Sequence, residues 1–522
     1  MTLTRRGLTG AGAAAAALAA FPSGVHAQSA LPAVRTTHGP VIGRRDSDVS
    51  VFKGLRYGDD TGYRRFLPPR PPRPWTRPAE AFDYGPACPQ RGDEPNQSED
   101  CLFLNVWTPA TDDARRPVML YIHGGGYSTG SGSDPLYDGT RLARRGDVVV
   151  VTVNHRLNIF GYGAFARVAG AGFEDSGNLG QLDLVLALQW VRDNIAAFGG
   201  DPARVMLFGQ SGGGAKIATL MAMPAAAGLF HAAATMSGQQ VTACGPMNGA
   251  ARGLAMIEAA GLTPDTAHAL RTLPVERLLA ASAARDPVQG YGGINFAPLL
   301  DGRSLTRHPF YPDAPAQSAR IPMIIGNTRE ETLAFMGNDP ANAGLTWETL
   351  PARLTPDVMR IDIAPEMVIE GYRRMKPDWT PDQVLIGATT AGRSWRGAVI
   401  EAEARARQGS PAYVYQLDFP ASLRNGRTGA FHTADIALVF DNVARSQAHG
   451  PGAQAVSNAM ADAFIALARR GDPNHAGLPH WTPYGLENRE TMLFDETSRM
   501  ANDPRGDERE FFARIPYVQP GT

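Results

Sequence analysis

The fold of this chain is decided by ten residues, Val205-Met206-Leu207-Phe208-Gly209-Gln210-Ser211-Gly212-Gly213-Gly214. Their apolar start is typical of a buried strand that ends at Gly209, and residues 215–223 have a helix-forming composition closed by a proline. The pattern G-x-S-x-G at residues 209–213 places Ser211 between that strand and that helix. The question is whether Ser211 is a nucleophile or only a small residue in a glycine-rich turn.

The pattern alone does not answer, because the chain also matches it at residues 126–130, around Ser128. A serine hydroxyl becomes a useful nucleophile when a sharp strand-to-helix turn presents it beside a base. Ser128 follows a run of three glycines, and no helix signal follows it. Only Ser211 has a strand before it and a helix after it, so Ser211 is the predicted nucleophile.

Residues 209–214 have two other interpretations. A phosphate cradle at a helix N-terminus is one, but neither G-x-x-x-x-G-K-[S/T] nor G-x-G-x-x-G is present here. A structural turn without chemistry is the other, and it remains open until partners for Ser211 are found.

The composition is that of a globular protein. The chain has 522 residues, 43% of them hydrophobic and 19% charged, with a formal net charge of -1. Such a mixture can bury a substantial core. The balanced charge gives no basic patch for nucleic acid and no acidic tail for a partner.

Short β-rich runs alternate with helical periods along the chain, which predicts a parallel sheet with crossover helices. The predicted strands are residues 117–122, 148–153, 205–208, 321–325 and 412–417, and the predicted helices are residues 179–198, 215–223 and 457–470. The prediction is one α/β domain over residues 28–522, with a mostly parallel central sheet and helices on both faces. Residues 345–408 read as an inserted, mostly helical lobe.

The first 27 residues have the three parts of an export signal. A charged start with Arg5-Arg6 precedes an alanine-rich run, and Val25-His26-Ala27 forms a small-x-small cleavage site. The adjacent arginines resemble a twin-arginine signal, which predicts export to the bacterial periplasm or the medium. The alternative is an amphipathic first helix. No other run approaches the roughly 18 apolar residues of a membrane span, so no stable membrane insertion is expected.

Three cysteines are present. Cys88 and Cys101 enclose twelve polar residues, and an exported protein permits a disulfide that closes such a loop. Cys244 is left over and reads as a small buried hydrophobe. Cysteines scattered in this way, with no H-E-x-x-H motif, predict neither a metal site nor a cofactor.

The glycine run after the strand at residues 117–122 fits the chemistry of Ser211. Attack on an acyl carbon creates an oxyanion that needs preorganised N–H donors. The segment beginning at His123 is an HGGG-type loop, and the N–H groups of Gly125 and Gly126 would join that of Gly212. The alternative reading of this segment is a tight turn without function.

Further spaced motifs accompany these two in order along the chain: Ser98–Val106, Asn154–Gly161, Ser176–Gly180, Ala187–Gly213, Gly429–His432 and the Trp481, Pro483 and Tyr484 region. With them the sequence resembles the type-B carboxylesterase family, α/β hydrolases that include bacterial p-nitrobenzyl esterases and cholinesterases. The resemblance implies an α/β-hydrolase fold and a serine carboxylic-ester hydrolase that forms an acyl-enzyme and needs no cofactor. It also supports pairing Cys88 with Cys101.

The resemblance also assigns the remaining site residues. Chain order in this fold is nucleophile, acid, histidine, and His432 matches the catalytic histidine. Glu331 matches the acid, with the adjacent Glu330 as the alternative, although Thr332 stands where the family has glycine. Ser237 resembles a serine that hydrogen-bonds the acid, and a serine in an ordinary turn is the competing interpretation.

Two departures from the family narrow the expected substrate. The loop between Cys88 and Cys101 has no aromatic residue to hold a quaternary ammonium. Neutral Gln210 also replaces the family's acid before the nucleophile. The expected substrates are therefore small to medium neutral or anionic esters rather than choline esters. The residues expected to line the pocket are Tyr127, Gln210, Ile294 and Phe296.

Two other functions are compatible with the same motifs. Some relatives with this fold are adhesion proteins without a working triad, so fold alone does not establish catalysis. A lipase acting at an oil–water interface is the alternative among enzymes.

Overall fold

A computed structural model describes residues 31–423, 425–446 and 450–522. The predicted export signal at residues 1–27 lies outside the described residues.

The described residues contain short and long β-strands: β1 (Ala33–Arg35), β2 (Pro40–Ile42), β3 (Arg44–Asp46), β4 (Val49–Arg56), β5 (Ala79–Glu80), β6 (Phe103–Thr108), β7 (Arg116–Ile122), β8 (Val149–Val153), β9 (Gly200–Gln210), β10 (Ala232–Met236), β11 (Met323–Thr328), β12 (Ala412–Leu417), β13 (Ala421–Ser422), β14 (Thr428–Gly429), β15 (Glu490–Phe494) and β16 (Arg499–Asn502).

The main sheet has eleven strands in the order β16-β15-β12-β11-β10-β9-β7-β8-β6-β4-β3. From β15 to β8 all neighbours are parallel, and the strands beyond them at both edges pair antiparallel. All five residues of β8 are buried, as expected for a parallel strand covered on both faces. The predicted mostly parallel central sheet is confirmed.

The α-helices of the described residues are α1 (Thr140–Gly146), α2 (Asn158–Tyr162), α3 (Ala166–Ala169), α4 (Leu179–Asn194), α5 (Gly212–Leu220), α6 (Pro246–Ala259), α7 (Val275–Ala281), α8 (Leu333–Met336), α9 (Pro356–Met359), α10 (Pro365–Met375), α11 (Pro381–Thr390), α12 (Arg396–Gln408), α13 (Ala434–Val439), α14 (Ala453–Arg470) and α15 (Gly506–Ala513). None of them is both long and apolar enough to cross a membrane.

Successive residues of a strand point to opposite faces of the sheet, and here both faces are apolar. Helices therefore cover both faces, and each face has its own hydrophobic core. In β7, Leu120 and Ile122 pack into the core that also contains α4 and α5. Met119 and Tyr121 point to the other face, into the core that contains α13 and α14. The chain therefore has the α/β-hydrolase architecture that its sequence predicts.

Residues 345–408 are mostly helical and contribute a separate apolar cluster. This cluster joins residues of α9, α10 and α11 to Phe512 of α15. One π-helical turn, Ala391–Trp395, connects α11 directly to α12. Such turns are rare and often occur at functional sites.

The cysteines differ from the prediction of a disulfide. Cys88, Cys101 and Cys244 are all buried free thiols. The Cys88 and Cys101 side chains are neighbours, and their hydrogen bond, followed by burial, raises the pKa of Cys101. Cys88 Sγ also accepts a hydrogen bond from the Leu157 N–H at 3.2 Å.

Candidate active site

Ser211 lies in a sharp turn between β9 and α5, at the carboxyl end of the parallel strands. Its backbone has φ 56° and ψ -126°, a conformation that costs free energy for a residue with a side chain. The turn holds because its neighbours are glycines: a Cβ on Gly213 would overlap the Ile122 carbonyl oxygen of β7. The helix therefore starts in direct backbone contact with the sheet, and the Ser211 side chain is left at the cavity edge.

Ser128 lies in a different setting. Its N–H donates to the Gly125 carbonyl at 3.1 Å, and its own carbonyl accepts from Asn158 Nδ2 at 3.1 Å. Residues 125–129 form a closed turn, and no helix follows directly. Ser128 lines the same cavity as Ser211 but is not presented by a strand-to-helix turn.

The glycine loop provides free N–H groups beside Ser211. Gly125 and Gly126 have φ of 79° and 62°, are exposed, and donate no hydrogen bond within the described residues. Gly212 is the first residue of α5, where N–H groups lack an intrahelical acceptor. A Cβ on Gly212 would overlap the Gly126 carbonyl, so the two segments are in contact. Three donors are thus available where an oxyanion would develop.

His432 pairs with Glu331, 101 positions earlier in the chain. The distance from His432 Nδ1 to Glu331 Oε2 is 2.5 Å, and Glu331 is 1% exposed. The other carboxylate oxygen accepts from Asn327 Nδ2 at 3.1 Å and from the Thr328 N–H at 2.8 Å. The acid is held rigidly at the end of β11 and fixes the orientation of the imidazole.

The electrostatics keep Glu331 ionised. Burial acts to raise the pKa of Glu331, but the charge and hydrogen bond of His432, together with Ser237 and Thr328, leave that pKa lowered. Ser237 follows β10 with φ 50° and lies beside the carboxylate, although its Oγ makes no hydrogen bond of standard geometry. Thr332, the departure from the family pattern, is buried and donates through Oγ1 to the Ile386 carbonyl at 3.0 Å.

Glu330 points away from His432. Its carboxylate accepts from the Ala430 N–H at 2.7 Å and lines a separate cavity of about 380 Å³. Burial raises the pKa of Glu330, the opposite of the effect on Glu331. Of the two neighbouring acids, the structure brings only Glu331 to the imidazole.

Gln210 contacts the other nitrogen of the imidazole. The distance from Gln210 Nε2 to His432 Nε2 is 3.1 Å, and Gln210 is 2% exposed. With its Nδ1 proton directed at Glu331, His432 has a lone pair at Nε2 that accepts from the Gln210 amide. Ser211 Oγ makes no hydrogen bond to the described residues. Gln210 is thus a partner of the histidine rather than part of the cavity wall.

The cavity in front of Ser211 has a volume of about 280 Å³. Tyr127 and Phe296 line it, whereas Ile294 does not. Ile294 packs into the core around α4 and α5, and its N–H donates to the Ala284 carbonyl at 2.9 Å. The expectation that Ile294 lines the pocket is therefore corrected: neighbouring positions of an irregular segment face different ways, and no periodicity indicates which.

Several residues in and around the cavity have no signal in the sequence. Phe335 lies beside the imidazole in a tilted arrangement, with 5.2 Å between ring centroids, and Arg393 comes from the π-helical turn. Beneath the glycine loop, buried Lys216 donates to the His123 carbonyl at 3.3 Å. Asn327 is the exception, because its place at the end of a strand just before Glu331 is a position where a site residue is expected.

Comparison with known proteins identifies the family of this chain. The sequence model of the carboxylesterase family matches residues 30–512. This chain belongs to the carboxylesterase family. The resemblance stated from its motifs is thereby confirmed.

Named carboxylesterases are similar over nearly their whole length. Para-nitrobenzyl esterase of Bacillus subtilis (strain 168) is 35% identical, with 91% of this chain and 97% of that protein covered. Phenmedipham hydrolase of Pseudarthrobacter oxydans is 32% identical, with 90% and 97% covered. The crystal structure of Geobacillus stearothermophilus carboxylesterase EST55 at pH 6.2 superposes with a TM-score of 0.81 at 36% identity, covering 92% of this chain and 99% of that one. The carboxylesterase fold and the function of a carboxylic-ester hydrolase follow.

Proposed function

We propose that this carboxylesterase hydrolyses small to medium neutral or anionic carboxylic esters with Ser211, His432 and Glu331 as its catalytic triad. The observation that carries the proposal is the 2.5 Å contact between His432 Nδ1 and Glu331 Oε2, in the cavity into which Ser211 opens. A serine, an imidazole and a buried carboxylate in this relation are the parts of acyl-enzyme hydrolysis.

The chemistry proceeds in two halves. His432 Nε2 leaves the Gln210 amide and accepts the Ser211 hydroxyl proton as Oγ attacks the ester carbonyl. The tetrahedral oxyanion accepts hydrogen bonds from the free N–H groups of Gly125, Gly126 and Gly212. His432 then protonates the leaving alcohol, and water repeats the attack on the acyl-enzyme with His432 as base.

Glu331 acts through the imidazole. Its ionised carboxylate keeps the Nδ1 proton of His432 in place, so that Nε2 is the nitrogen free to accept the Ser211 proton. It also stabilises the imidazolium that forms when Ser211 attacks. Asn327 and Thr328 position the carboxylate through hydrogen bonds to its other oxygen, and Ser237 lies beside it.

The test is labelling with a fluorophosphonate and intact-mass measurement. The wild type is expected to gain one adduct, on the peptide that contains Ser211, and to lose hydrolysis of p-nitrophenyl butyrate in parallel. Ser211→Ala is expected to gain none. Undiminished labelling of Ser211→Ala, or an adduct on Ser128, would contradict the assignment. An unlabelled but folded wild type would indicate a binding protein on the same fold.

We also propose that residues 1–27 direct export through a twin-arginine signal, with residues 28–522 forming the mature domain. The support is the sequence of that segment alone. Replacing Arg5 and Arg6 together with lysine is expected to retain the enzyme in the bacterial cytoplasm, measured as esterase activity in separated periplasmic and cytoplasmic fractions. Unchanged activity in the periplasm would argue against this signal.

A further inference from the structure

Arg393 stands out in the cavity wall. The π-helical turn Ala391–Trp395 brings it there, and the rest of residues 381–408 is α-helical. Its guanidinium carbon lies 5.8 Å from the centroid of the Phe335 ring, and the same ring is 5.2 Å from the His432 ring. One aromatic side chain therefore contacts both the catalytic imidazole and this cation.

The cation has no carboxylate partner. Within the described residues no acid lies within ion-pair distance of Arg393, and its hydrogen bond is to the Val358 carbonyl at 3.3 Å. Among the buried arginines of the described residues, Arg156 pairs with Asp183 at 2.6 Å and Arg252 with Asp286 at 2.7 Å, whereas Arg405 has only carbonyl and amide acceptors. Arg393 differs from Arg405 in lining the cavity in front of Ser211. A half-buried guanidinium without such a partner retains N–H donors for a ligand.

The surroundings increase the demand for an anion. Burial, and then repulsion from Arg360, lower the pKa of Arg393 to about 10, while Tyr291 and Asp357 oppose this more weakly. The group stays charged at neutral pH. Apart from Arg393, the ionisable groups of the wall are Glu331 and His432, which pair with each other, and the hydroxyls of Tyr127 and Tyr517. The one carboxylate of the wall is thus directed at His432, and the Arg393 guanidinium is left without an acid at ion-pair distance within the described residues.

The turn that holds Arg393 is tied to the triad. Asn327 Nδ2 donates both to Glu331 Oε1 at 3.1 Å and to Ser394 Oγ at 2.8 Å. The residue next to Arg393 is therefore fixed by the same amide that holds the catalytic acid. A preorganised cation loses less entropy on binding than a mobile surface arginine does.

We propose that Arg393 binds a carboxylate on the substrate, so that the preferred esters are half-esters of dicarboxylic acids. This inference rests on the proposed ester hydrolysis at Ser211. The guanidinium forms charge-assisted hydrogen bonds with the distant carboxylate while the ester carbonyl lies at Ser211. Hydrolysis releases the alcohol and the free dicarboxylate. Arg393 is a specificity residue in this scheme and takes no part in proton transfer.

The experiment compares each half-ester with the diester of the same acid. The substrates are the monoethyl and diethyl esters of succinate, adipate and terephthalate. For at least one acid, the half-ester is expected to have a higher kcat/KM than the diester. Arg393→Gln is expected to lower kcat/KM for that half-ester by about 10- to 100-fold, mainly through KM. For the diester, the same variant is expected to change kcat/KM by less than about 3-fold.

Two variants sharpen the result. Arg393→Lys is expected to retain part of the preference, because it keeps the charge and loses the bidentate geometry. Arg360→Gln, which removes a neighbouring cation outside the wall, is expected to change the preference by less than about 3-fold. Equal losses in Arg360→Gln and Arg393→Gln would show a long-range field instead of a contact, and would overturn the proposal.

Failure of this inference is distinguishable from failure of the proposed function. If Ser211-dependent turnover of the diesters persists while no anionic ester is preferred, or if Arg393→Gln changes both members of a pair equally, the carboxylate site is wrong and ester hydrolysis stands. If no ester is hydrolysed in a Ser211-dependent way, the proposed function fails. Thermal unfolding of each variant checks that the fold is intact.

Discussion

Residues 209–213 and 126–130 have the same G-x-S-x-G pattern and line the same cavity, yet the structure uses them differently. In the first, the chain turns from β9 into α5 and Ser211 adopts φ 56°. In the second, the loop curls back on itself, Ser128 donates to the Gly125 carbonyl, and Gly126 contributes a free N–H group. In both segments the glycines permit a backbone conformation that other residues rarely adopt. The flanking strand and helix expose the side chain of Ser211, whereas the loop around Ser128 exposes the backbone N–H of Gly126.

The strongest test of this difference exchanges the two serines for alanine. Ser211→Ala is expected to lower kcat/KM for p-nitrophenyl butyrate by about 10⁴-fold or more, because no acyl-enzyme can form. Ser128→Ala is expected to remain within about 3-fold of the wild type, because only its backbone supports the loop. Comparable losses in the two variants, with both folded, would erase the distinction.

The next test concerns Glu331, the acid that pairs with the histidine proposed to activate Ser211. Glu331→Gln is expected to lower kcat by about 10³- to 10⁴-fold, because the amide cannot hold the required tautomer of His432. The matched control is Glu330→Gln, one position earlier and directed at the other cavity, with an expected change below about 5-fold. Steady-state kinetics give kcat for both variants. A larger loss of kcat in Glu330→Gln than in Glu331→Gln would show that Glu330 is the catalytic acid.

A smaller effect is expected from Gln210, the neighbour that Ser211 has and Ser128 lacks. Gln210→Glu places a carboxylate at His432 Nε2, which favours the imidazolium, and that form cannot accept the serine proton. The acid limb of the pH–kcat profile is expected to move up by about one pH unit. Gln210→Met removes the hydrogen bond without adding charge and should leave the limb in place. An unmoved limb in Gln210→Glu would mean that its carboxylate does not reach the ring.

The last effect is expected in stability rather than in turnover, at Lys216, which links the two regions. It lies on α5 after Ser211, and its ammonium donates to the His123 carbonyl at the start of the glycine loop. Burial lowers the pKa of Lys216 from 10.5 to about 7, and burial together with this cation lowers the pKa values of His123 and His155. Between about pH 7 and 10.5 the unfolded chain therefore binds one more proton at this site than the folded chain does.

For this reason Lys216 makes the free energy of unfolding rise with pH in that window, by up to about 1.4 kcal/mol per pH unit. Below pH 7 both states hold the proton, and the penalty of the buried charge is constant. Lys216→Met is expected to abolish this slope, so its stability relative to the wild type falls from pH 7 to 10 in urea unfolding. A difference that does not change with pH would show that Lys216 keeps an ordinary titration in the folded state.

Part of the site was predictable because its signals are local. The strand, the glycines and the helix around Ser211 lie within twenty consecutive residues, and the glycine loop directly follows a strand. His432 and Glu331 were reached through resemblance, since nothing local distinguishes His432 from the other histidines. The resemblance favours Glu331 over Glu330, and the structure adds the physical reason: Glu331 contacts His432, whereas Glu330 lines a separate cavity.

By itself the sequence determined the α/β architecture and the presentation of Ser211, because hydrophobic periodicity and glycine flexibility act over a few residues. The tertiary structure decided that Gln210 contacts His432 from 222 positions away, that Ile294 belongs to the core, and that Cys88 and Cys101 lie together as thiols. It also decided that Arg393 reaches the wall of the cavity with no acid of the described residues at ion-pair distance. Contacts of this kind depend on how distant segments pack, and no local pattern encodes which side chain meets which.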